Sequence, residues 1–99
     1  MLRHIVMWNY KEGFSDIENQ NNANKVKIQL EALKSTIPEI IEMKVHINTI
    51  SSSNMDIILD SLFESETTMA AYKIHPEHIK VSELITSVLK NRTVFDYYE

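Results

Sequence analysis

The first ten residues place the strongest constraint on the fold. Leu2, His4, Val6, Trp8 and Tyr10 fall on one face of an extended strand and Ile5 and Met7 on the other, so apolar groups stand on both faces. A strand at the surface of an antiparallel sheet needs one apolar face; this one belongs in a sheet that is covered on both sides. The chain has 99 residues, enough for a single domain spanning 1–99. At that size folding buries only about 60 to 65% of the surface that the unfolded chain exposes, so one core must serve.

The elements that follow can be read from punctuation and period. Gly13, the only glycine, lies in the segment Lys11 to Phe14. Ser15-Asp-Ile-Glu18 then has the form of a capping box opening a helix. Ala23, Val26, Leu30, Leu33 and Ile37 recur at helical spacing until Pro38 ends the run, although Asn19, Asn21, Asn22 and Asn24 give its start poor helix propensity. The stretch from Ile40 to Thr49 reads as a second strand, with Met43, Val45 and Ile47 set against Lys44, His46 and Asn48. Thr49 to Asn54 makes a polar turn, and Met55 to Glu64 a third strand. Ser65 can cap a helix through Met69 and Tyr72 that breaks near His75, because Pro76 follows. Pro76 suits the first turn of another helix, whose apolar face is Val81, Leu84, Ile85 and Val88. Thr93 to Tyr98 closes the chain as an aromatic strand.

The order β-α-β-β-α-β, with its second helix broken in two, predicts an α+β fold of ferredoxin-like plan: four antiparallel strands under helices on one face. The uncovered face then needs a partner, and a symmetric homodimer is the economical one.

Composition narrows the function. A net charge of −4 with ten scattered Lys and Arg lacks the basic footprint that nucleic acid requires. No apolar run approaches the roughly 18 residues that cross a bilayer, and the Met-Leu-Arg-His start lacks the features of a secretory signal, so the expected location is the cytoplasm, with no membrane partner. The absence of cysteine removes disulfides, thiol catalysis and thiolate metal sites together.

Several short stretches carry a family resemblance: the His4-Ile-Val6 strand opening, the Ile37-Pro-Glu-Ile40 elbow, the Phe63-Glu-Ser65 helix start, the Tyr72-Lys-Ile-His75-Pro-Glu-His78 break and the Phe95-Asp-Tyr97 ending. Over nearly its whole length the chain resembles the stress-responsive A/B-barrel (Dabb) family. The resemblance implies a dimeric α+β barrel made from two four-stranded sheets. It departs from the usual pattern at Glu39 and His46, where the family commonly has glycine. Many members of that family are stress-associated proteins, while a plant branch cyclises linear polyketides. In those cyclases a tyrosine and a histidine matching Tyr72 and His78 do the acid and base work, so this pair is the expected catalytic one.

The residues alone allow the same chemistry. His78 shares a helical face with Val81, Leu84 and Ile85 and should point toward the sheet, while Tyr72 lies one turn before the break. A histidine could remove a proton α to a carbonyl, and a phenol could donate a hydrogen bond to the developing enolate. A buried tyrosine and histidine satisfying each other at a helix break would look the same in sequence. His4 and Trp8 share the strand face under the helices and are expected with His75 around a ligand pocket, although His75, just before Pro76, is also placed to cap the following helix. A metal site is not expected, since His75 and His78 lie three apart across a proline with no third ligand at a familiar spacing. Asp56 and Asp60 share a strand face, the pattern of a solvated rim. No cofactor is indicated. The functional expectation is a stress-responsive homodimer with a pocket for a hydrophobic small molecule. The alternatives are a polyketide-cyclase-like lyase acting on a hydrophobic carbonyl compound and a cofactor-free or haem-handling monooxygenase.

Overall fold

The capping box and the helix break both form where the side chains call for them. In the computed structural model, which describes residues 1–99, the Ser15 hydroxyl accepts from the Glu18 amide and the Glu18 carboxylate accepts from the Ser15 amide. The order is β1 (Leu2–Tyr10), α1 (Asp16–Ala32), a 3-10 turn (Leu33–Ser35), β2 (Glu42–His46), β3 (Ile57–Phe63), α2 (Glu66–Ile74), α3 (Pro76–Val88) and β4 (Leu89–Tyr98). Reciprocal bonds between Ser65 and Thr68 start α2. The three helices lie on one face of a four-stranded antiparallel sheet of order β2-β3-β1-β4, the ferredoxin-like arrangement.

β1 is central, paired with β3 from Leu2 opposite Phe63 to Trp8 opposite Ile57 and with β4 from Leu2 opposite Tyr98. Its even-numbered residues Leu2, His4, Val6 and Trp8 are buried under the helices. Leu2, Val6 and Trp8 join Leu59 and Phe63 of β3, Ala23, Val26 and Leu30 of α1, and Val81, Ile85 and Val88 of α3 in one core. The opposite face has no helix. There Ile5, Met7 and Ile58 are half-buried, while Phe95 and Tyr97 of β4 are 60% and 39% exposed. Beside this apolar area Arg3 bonds the carboxylates of Glu42 (2.8 Å), Asp60 (3.0 Å) and Glu99 (2.5 Å).

Strand edges invite unwanted pairing, and β2 is one such edge. Two α1 side chains blunt it at a single residue: Glu31 accepts from the Val45 amide at 2.9 Å and Lys27 donates to the Val45 carbonyl at 2.6 Å. Lys27 and Glu31 also pair with each other at 2.9 Å, one helical turn apart.

Four elements differ in extent from the sequence reading, of which β3 is trimmed from Met55–Glu64 to Ile57–Phe63. The helix expected to run to Ile37 ends at Ala32 and tightens into the 3-10 turn, closed by the bonds of the Thr36 and Ile37 amides to the Leu33 carbonyl, and cannot continue through Ile37, which precedes Pro38. Ile37 still reaches the core through its amide bond to the Leu33 carbonyl. β2 covers Glu42–His46 and not Ile40 to Thr49, since Ile40 is held in a turn by its bond to the Ile37 carbonyl. β4 begins at Leu89 and not at Thr93, directly after α3, and its pairing with β1 shifts register between Met7 and Asn9. Asn91, with φ of 57°, occupies that bulge. Asparagine tolerates this left-handed backbone better than most residues.

Candidate functional site

A cavity of about 250 Å³ opens between the sheet and the helices at the β4 side of the core. Its floor is β1, which contributes His4, Val6 and Trp8. Tyr72 enters from α2, His78, Ser82 and Ile85 from α3, and Lys90, Asn91 and Arg92 from the start of β4. The helix break is what brings Tyr72 and His78 together: their ring centroids lie 4.2 Å apart, with 44° between the ring planes. Phe63 packs behind Tyr72 at 5.0 Å, and His4 stands 6.5 Å from it.

The hydrogen bonds settle which histidine nitrogens are free. The Lys73 carbonyl, 3.0 Å from His78 Nδ1, can only accept, so Nδ1 carries the proton and Nε2 the lone pair. Ser82 Oγ is 3.4 Å from that Nε2. His4 repeats the pattern, its Nδ1 lying 2.5 Å from Asp96 Oδ1, which fixes the proton on Nδ1 and leaves Nε2 as acceptor. The Tyr72 hydroxyl has no protein partner; it opens on the cavity and is not sealed in the core.

Burial sets the protonation states. It lowers both histidines below the usual imidazole value, and for His4 the Asp96 carboxylate offsets that effect only in part. Burial also pushes the Tyr72 phenol above its ordinary value. At neutral pH the cavity therefore holds a protonated phenol and two neutral imidazoles, the Nε2 lone pair of His4 without a protein partner and that of His78 met only by the Ser82 hydroxyl at 3.4 Å. That set can accept a proton at one point and donate a hydrogen bond at another.

Of the five residues expected from sequence, Tyr72, His78, His4 and Trp8 line this one cavity. His75 does not. Its Nδ1 accepts from the Glu77 amide at 3.1 Å and caps α3, because the extended backbone before Pro76 turns the ring back onto the first helical turn. Its lone pair is thus occupied, and no three His, Asp or Glu side chains gather anywhere as a metal set. Asp56 and Asp60 do different things: Asp56 accepts from the Tyr10 amide at 2.9 Å, and Asp60 pairs with Arg3. Glu39 and His46 lie away from the cavity. Asp96, Ser82 and Arg92 were not singled out from sequence. Asp96 meets His4 through the pairing of β1 with β4, a register no local motif encodes.

The comparisons with known proteins agree with this architecture. No curated protein matches the chain. Among solved structures it is similar to a dimeric protein of unknown function and ferredoxin-like fold from Bacteroides fragilis, with 26% identity, TM-score 0.93, and 99% of this chain and 95% of that one covered. It also resembles a dimeric ferredoxin-like protein of unknown function from Thermobifida fusca, at 20% identity and TM-score 0.83 over 99% and 90% of the two chains. Hydroxynitrile lyase from Passiflora edulis has the same fold at 19% identity and TM-score 0.80, over 97% and 90%. The family model described as the Stress responsive A/B Barrel Domain matches residues 2–99, essentially the whole chain, and this chain belongs to that family.

Proposed function

We propose that this protein is a cytoplasmic homodimer, joined through the bare sheet face, whose cavity binds a small, largely apolar carbonyl compound and moves a proton α to its carbonyl. One observation carries the chemical part: two histidines present Nε2 lone pairs to the cavity that also holds the partnerless Tyr72 hydroxyl. His78 Nε2 takes the α proton, and the Tyr72 O–H donates to the oxygen on which negative charge develops. Return of the proton from the His78 imidazolium to carbon restores the starting enzyme, so the cycle needs no further reagent. His4, oriented by Asp96, is a second base on the same floor. The cavity is smaller than the roughly 300–1,000 Å³ that drug-sized ligands occupy, which suits a compact substrate. The dimer part rests on the exposed Phe95 and Tyr97 beside Ile5, Met7 and Ile58, and on the dimeric state of the structurally similar proteins.

Hydrogen–deuterium exchange at the carbons flanking the ketone of methyl levulinate, followed by proton NMR, tests the chemistry. The wild-type protein is expected to accelerate exchange, and His78→Ala to lower that acceleration by about 10²- to 10⁴-fold, the usual contribution of a positioned base. Full exchange in His78→Ala and none in His4→Ala would move the base to His4. Full exchange in both would refute the reading.

A further inference from the structure

Although the chain carries a net charge of −4, the charged residues lining the cavity are Lys90 and Arg92 beside the two histidines, and no carboxylate lines it. The two cations are not equivalent. Lys90 bonds the Glu12 carboxylate across the mouth and is thereby neutralised. Arg92 has no hydrogen bond or ion pair, and its side chain is available at the rim.

Its position follows from the β4 bulge. Thr93 pairs with Met7 and so belongs to the bare face of the sheet, which puts Arg92 on the helix side by alternation. Lys90 pairs with Asn9 and Leu89 with Tyr10, so Asn91 is the extra residue, at φ 57°. Without that insertion Arg92 and the buried Leu89 could not both face the helices. The positive charge of Arg92 also reaches all three chemical groups: it disfavours protonation of His4 and His78 and favours an anion at Tyr72.

Building on the proton-transfer reading above, we propose that Arg92 is a specificity-determining residue that grips a carboxylate on the ligand, making the substrate class small carbonyl acids. The planar guanidinium matches a carboxylate with two parallel N–H donors, and an anion at the rim would leave the carbonyl end of a short ligand directed inward at Tyr72 and His78.

Trp8, the only tryptophan, lines the same cavity, so its indole N–H signal in a nitrogen-15 NMR spectrum is a single, unambiguous reporter of binding. The experiment titrates the full chain with levulinate and with methyl levulinate, which differ in charge at one end. Levulinate is expected to bind about tenfold more tightly, the scale of one charge-assisted contact at a partly exposed site. In Arg92→Gln that preference should fall to near unity, and Arg92→Lys should restore part of it. Equal binding of acid and ester by the wild type would overturn the proposal while leaving the pocket intact. An unchanged preference in Arg92→Gln would overturn it too, and if the variant also dissociated the dimer, Arg92 would be an interface residue instead. Failure of both compounds to shift Trp8 would remove the pocket reading and this inference together.

Discussion

Replacing Phe95 by Asp separates the assembly of this protein from its folding. A phenylalanine offers about 200 Å² of surface, and 60% of Phe95 is exposed in the single chain. About 120 Å² per subunit is therefore available for a partner to cover, which at about 25 cal/mol/Å² is about 3 kcal/mol. A two-fold axis counts the residue twice, giving an upper limit of about 6 kcal/mol, or about four decades in dissociation constant. Ile5, Met7, Ile58 and Tyr97 remain on the face, so a loss of at least two decades is the expected result. Sedimentation velocity across a concentration series measures it directly. Within the subunit the change should be mild: the side chain touches Tyr97 at a ring separation of 5.7 Å and nothing in the core, so stability should fall by no more than about 1 kcal/mol. Trp8 lies on the opposite face and reports folding independently. A variant that stays dimeric with unchanged affinity would place the interface elsewhere and refute the argument from the two-faced strand.

Three further outcomes follow from local physics. Ser15→Ala removes one half of the α1 capping box and should cost about 1 kcal/mol in urea unfolding, since no neighbouring side chain can take over the Glu18 amide. Asn91→Gly should be tolerated within a few tenths of a kcal/mol, whereas Asn91→Val, forced to φ near 57°, should cost about 1–2 kcal/mol and blunt the ligand preference ascribed to Arg92. Thermal melting should be acid-sensitive with a defined sign. Burial holds His4 and His78 below 6.5, so beneath that pH the unfolded chain binds protons that the folded chain refuses. Their contribution is complete above pH 6.5 and declines as pH falls toward the folded values, and His78→Gln should flatten the decline. A melting temperature level between pH 7 and 5 would contradict the burial of both rings.

Much of the fold was legible because its signals are short-range. The alternation in Leu2–Tyr10, the capping box at Ser15, the cap at Ser65 and Pro76 are all local signals, and each produced the element expected of it. The boundaries that moved depend on longer reach. Val88 passes straight from α3 into β4 at Leu89 because β1 supplies hydrogen-bond partners up to Tyr10, which no property of residues 89–92 announces. The same division runs through the site. Tyr72 and His78 could be paired from sequence since they lie six positions apart across one proline. Asp96 and His4 are 92 residues apart and meet only through strand register.

That register has a chemical consequence. Asp96 sits on the edge strand, its side chain 30% exposed, while its partner His4 is 3% exposed. That carboxylate, still reached by water, fixes the tautomer of an imidazole that is almost fully buried. The strand that supplies Asp96 also supplies Arg92 to the cavity and Phe95 and Tyr97 to the opposite face. β4 thus joins the site to the proposed dimer surface through alternate side chains of one segment. Covering its outer face would restrain the backbone that carries Asp96 and Arg92, so loss of the dimer in Phe95→Asp should also weaken the tautomer control on His4. The His4 ring in that variant should then show increased exchange broadening in its nitrogen-15 signals. An unchanged His4 ring in a clean monomer would show that β1 alone holds the site.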